Sequence, residues 1–164
     1  MKRLKDLVRV DGRFQRSARI DADLKGFPPL EGYVLQASVR KALADMAGML
    51  ADSGQAAFTW TGPYGGGKSS AALLVGTLVA GDPKTRAFAR GLVGPELLKD
   101  FDRAFPEGNG GWTVVAVTGR RANLRGEIAA ASAEALRWSK TEQAAAAADD
   151  VKLVDLLLKS AQSQ

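Results

Sequence analysis

Residues 56–70 read Ala56-Ala57-Phe58-Thr59-Trp60-Thr61-Gly62-Pro63-Tyr64-Gly65-Gly66-Gly67-Lys68-Ser69-Ser70, and this stretch decides the expected fold. Ala56 to Thr61 is short, apolar and aromatic, which predicts a buried strand. Gly62 to Gly67 breaks it, and the apolar run from Lys68 to about Val79 predicts a helix. Working outward, Trp112–Thr118 is Val-rich and uncharged, the pattern of a strand inside a parallel sheet covered on both faces. Helical spacing of apolar residues predicts helices over Leu35–Leu50, Leu97–Phe105 and Asn123–Trp138, with Asn123 as an amino-terminal cap. Thr141–Ala161 is Ala-rich and also predicts helix, while Lys2–Arg9 predicts a short helix and Phe14–Ile20 a strand. Two strands each followed by a helix argue for the α/β class, an open, mostly parallel sheet with flanking helices. The expected division is a basic amino-terminal segment, residues 1–34, and a domain over residues 35–164.

The loop carries the chemistry. Gly62, Gly67, Lys68 and Ser69 stand at the spacing G-x-x-x-x-G-K-[ST]. Glycines permit backbone conformations closed to other residues, so that main-chain amides can approach phosphate oxygens closely. Amides from about Tyr64 to Ser70 can then form a concave anion nest, with the partial positive end of the following helix behind it. The candidate phosphate-binding residues are Gly62, Gly65, Gly66, Gly67, Lys68, Ser69 and Ser70. Lys68 supplies a full positive charge and the Ser69 hydroxyl is a ligand for Mg²⁺. The plain alternative is a glycine-rich turn matching by chance.

Gly62-Pro63-Tyr64-Gly65-Gly66-Gly67-Lys68-Ser69-Ser70 resembles the Walker A segment of AAA+/RecA-like P-loop NTPases. With Pro-Tyr-Gly after the first glycine, it is similar to large ATPases of bacterial anti-phage defence systems. The resemblance covers residues 14–138, and its specific part is the loop. It implies ATP and Mg²⁺ as cofactors, and it places Tyr33 and Val34 near the adenine, against the alternative that Tyr33 is a core or turn residue. The same family holds Mg²⁺ on a hydrophobic strand ending in Asp or Asp-Glu. Trp112–Thr118 ends in Gly119-Arg120-Arg121 instead, and Asp149-Asp150 follows five alanines that favour helix. The catalytic base is therefore unknown, and the chain looks like the amino-terminal part of a longer ATPase or a degenerate remnant. Arg120 and Arg121, past the carboxyl end of a predicted strand, are candidate contacts to a phosphate, a partner or nucleic acid, with a solvated turn as the alternative.

Composition limits the chemistry further. The chain of 164 residues is one domain's worth, 46% hydrophobic and 25% charged. It has neither cysteine nor histidine, which excludes thiol nucleophiles, Cys/His zinc sites and imidazole bases. Residues 1–25 carry eight Lys/Arg against four Asp, while the rest is nearly neutral. That basic arm suits nucleic acid or an acidic partner surface, or else simple solvation. No signal peptide or membrane-length apolar run is present, so a cytoplasmic protein is expected. The leading expectation is Mg-ATP binding within a larger, oligomeric ATPase acting on nucleic acid or a protein. A small-molecule kinase and a non-catalytic assembly or nucleic-acid-binding module are the alternatives.

Overall fold

The computed structural model describes residues 18–25, 30, 32–63, 65–80, 82–106, 112–119 and 123–162. Among them every regular element is a helix: α1 (Ile20–Asp23), α2 (Ala37–Ser53), α3 (Lys68–Val79), α4 (Pro83–Val93), α5 (Pro95–Ala104), α6 (Leu124–Leu136), α7 (Lys140–Ala148) and α8 (Asp150–Gln162). This overturns the expected α/β class. No strand or sheet occurs among the described residues, and the sole β-type pairing is one parallel bridge, Ala80 to Trp112, where the Trp112 N–H donates to the Val79 carbonyl at 2.8 Å. The physical reason is that residues 55–61 and 114–118 belong to no helix or strand and have no ladder partner among the described residues. Strand propensity makes a segment extended, but a sheet requires paired main-chain groups. The likeness to P-loop NTPases falls with it, because that family is built on a parallel sheet.

Two hydrophobic clusters organise the helices. The first buries Leu43, Met46 and Ala47 of α2, Leu73, Leu74 and Leu78 of α3, Ala89 and Val93 of α4, and Leu97, Phe101 and Ala104 of α5. Tyr33, Phe58 and Trp60 pack against it. α2 ends where Gly54 adopts φ 70°, with its N–H on the Leu50 carbonyl. α4 begins at Asp82, whose carboxylate accepts from the Thr85 N–H at 2.7 Å, with Pro83 at the first helical position. A fork from Arg90 to Asp102, at 2.8 and 2.9 Å, ties α4 to α5, and the Arg40 guanidinium donates to the Val93 carbonyl at 2.6 Å.

The second cluster joins Ala129 of α6, Ala146 of α7 and Leu153 of α8, with Trp138 and Leu157 against it. Asn123 caps α6, accepting from the Gly126 N–H as the sequence predicts. The helix expected over Thr141–Ala161 is two helices. Asp149, at φ −142° and ψ 128°, ends α7, and its carboxylate accepts from the N–H groups of Val151 and Lys152 at the start of α8. Asp149 is thus a helix cap. Of the strand expected over Phe14–Ile20, Phe14–Ser17 lie outside the described residues and Ile20 opens α1, while the expected helix Lys2–Arg9 lies wholly outside them.

Candidate phosphate-binding loop

The glycine loop enters α3 as the sequence predicts. Gly65 and Gly67 both sit at φ 78°, in the left-handed region where a Cβ is strained, so the repeated glycines answer a backbone requirement. Gly66 N–H donates to the Pro63 carbonyl at 3.2 Å and closes the turn. Gly67 then caps α3 with its backbone alone, since no side chain satisfies the first turn. The first intrahelical bond runs from the Ala71 N–H to the Gly67 carbonyl at 2.9 Å. The main-chain N–H groups of Gly67, Lys68, Ser69 and Ser70 have no acceptor among the described residues, leaving four donors at the positive end of a 12-residue helix.

Lys68 folds back over this turn. Its ammonium donates to the carbonyls of Gly62 at 2.9 Å and Pro63 at 2.7 Å, and it has no carboxylate partner among the described residues. A cation held by two neutral carbonyls keeps its charge uncompensated. The Ser69 side chain is exposed. A cation and a ring of open amides therefore meet on one turn, a combination that can hold an anion of several oxygens.

The remaining candidates are placed differently. Tyr33 is half-buried against the first cluster, its N–H on the Leu30 carbonyl, and burial raises its phenol above the usual range. Val34 is exposed. No hydrogen bond joins either to the loop among the described residues. Tyr64, Arg120 and Arg121 lie outside the described residues. No group of three or more carboxylates able to hold a metal ion occurs among the described residues. No described helix is long and apolar enough to cross a membrane. Comparison with protein-family models, with curated proteins and with solved structures gives no match.

One acidic site escaped the sequence reading. Asp21 accepts from Arg19 at 2.6 Å and from the Thr118 hydroxyl at 2.8 Å. Hydrogen bonds from Arg19 first, and then Thr118, lower its carboxyl to about 2. The pairing links residues 97 positions apart, which no local pattern encodes.

Proposed function

We propose that the loop Gly62–Ser70 binds the phosphate tail of a nucleotide, with Mg-ATP as the reference ligand. The observation that supports this reading is the coincidence of four open amides and an ammonium without a carboxylate partner on the first turn of α3. The device is local: a helix amino terminus attracts an anion whether or not a sheet stands behind it. On binding, Lys68 exchanges two neutral carbonyl acceptors for anionic phosphate oxygens, which adds the attraction of opposite charges. Ser69 offers its hydroxyl to Mg²⁺. Hydrolysis and its coupling to a nucleic acid or protein partner would need a carboxylate supplied from elsewhere.

The test is a titration of the full chain with Mg-ATP and with inorganic triphosphate, followed by calorimetry, beside Lys68→Ala. Both ligands bind the parent, and Lys68→Ala weakens both by at least tenfold, about 1.4 kcal/mol. Equal binding by the variant, or none by the parent at millimolar ligand, overturns the proposal. The Lys68 contacts also favour a second reading, in which the ammonium only braces the loop. Lowered thermal stability of Lys68→Ala, with no nucleotide bound by either protein, would support it.

A further inference from the structure

Residues 114–118, Val114-Val115-Ala116-Val117-Thr118, are half-buried and belong to no helix, yet none of their main-chain N–H or C=O groups has a protein partner among the described residues. Main-chain groups that leave water are nearly always paired in folded proteins, so this half-buried row is a set of donors and acceptors open to a partner. Four of the five side chains are aliphatic and cannot satisfy that demand, and the fifth, Thr118, spends its hydroxyl on Asp21. Beside this segment runs a cleft of about 570 Å³, its far wall formed by small residues of α6, among them Ala131 and Ala135. Five extended residues span about 17 Å, and an added strand would sit about 4.8 Å from them.

The cleft also carries charge. Asp21, Glu127 and Glu134 line it with one lysine, Lys25. Arg19 holds Asp21 and Lys25 holds Glu134. The Glu127 carboxylate makes no ion pair or hydrogen bond among the described residues. The unspent charge in the cleft is negative.

We propose that the edge 114–118 with this cleft is a strand-docking groove that takes an extended polypeptide segment of a partner protein, apolar residues alternating with basic ones, one basic side chain meeting Glu127. Main-chain hydrogen bonds would supply the affinity and the carboxylate the selectivity. A small ligand would leave most of the row of donors and acceptors unmet, whereas a strand meets them in register.

The probe is a short peptide alternating valine with threonine and lysine, tested against the full chain by fluorescence anisotropy and by amide hydrogen exchange. In the free chain, amides 114–118 exchange near the rate of unstructured peptide, and the probe slows them at least tenfold. The same peptide N-methylated at alternate residues binds at least tenfold more weakly. Glu127→Lys weakens the lysine peptide at least fivefold, and a peptide with glutamate in place of lysine recovers binding to that variant. Circular dichroism confirms that the variant keeps its helices. The proposal is overturned if the probe does not bind, if N-methylation has no effect, or if amides 114–118 are already protected in dilute protein alone. Protection that grows with protein concentration without peptide would assign the groove to a second copy of the chain and overturn the partner named here.

Discussion

Ser132 lies on α6, wholly buried, and its hydroxyl has no hydrogen-bond partner among the described residues. Ser132→Ala removes that oxygen and nothing else. A buried polar group left unmade costs about 1–3 kcal/mol. Alanine also favours the helix by roughly 0.5 kcal/mol over serine. Against these stands a void smaller than a methyl group, worth under about 1 kcal/mol. The variant is therefore more stable by about 1–3 kcal/mol, which for a chain of this size raises the melting temperature by roughly 2–12 °C. Urea unfolding followed through the Trp138 indole N–H resonance reads the effect, because Trp138 packs against the cluster that α6 helps to build and its N–H donates to Ser160 at 2.8 Å. An unchanged or lower midpoint would refute the reasoning, since it would mean that the hydroxyl is satisfied in solution.

Other substitutions probe the rest of the molecule. Leu74→Ala, at a fully buried position of α3, lowers stability by about 2–5 kcal/mol in denaturant melts; a loss below 1 kcal/mol would contradict the first cluster as drawn. Thr118→Val raises the Asp21 carboxyl from about 2 towards its ordinary value, followed by carbon NMR of the side chain, while retention near 2 would show that Arg19 alone suffices. Arg90 holds the Asp102 carboxyl below its usual range, so this fork stabilises the fold above the unfolded carboxylate pKa and fades as pH falls through the lower folded value. Arg90→Met accordingly flattens the stability curve on the acid side of about pH 4; the pair is half-exposed, and its effect at neutral pH stays under about 1 kcal/mol.

Helix punctuation was the legible part of the sequence. Asn123 and Gly54 act as caps where residue type alone places them, and the glycines before Lys68 take the backbone angles their chemistry suggests. α4 was equally signalled by Asp82-Pro83 but went unread, because Lys84, Arg86 and Arg90 interrupt the apolar pattern. The break at Asp149 was hidden by alanines on one side and leucines on the other. The strands failed for a deeper reason. Residues 57–61 do alternate, with Phe58 and Trp60 half-buried and Ala57, Thr59 and Thr61 exposed, as a half-buried strand should. Local propensity sets that backbone but says nothing about which neighbour pairs with it. At the loop, the motif foretold the amides and Lys68, but the ammonium's return to Gly62 and Pro63 depends on three-dimensional closure.

The two hydrophobic clusters share no residue. Lys25 reaches Glu134 in full solvent, and Thr118 reaches Asp21. Exposed charges of the first kind are screened once ionic strength rises, since the screening length falls from about 8 Å at physiological salt to about 3 Å at 1 M. Raised salt therefore weakens the Lys25–Glu134 pair and leaves the buried clusters in place.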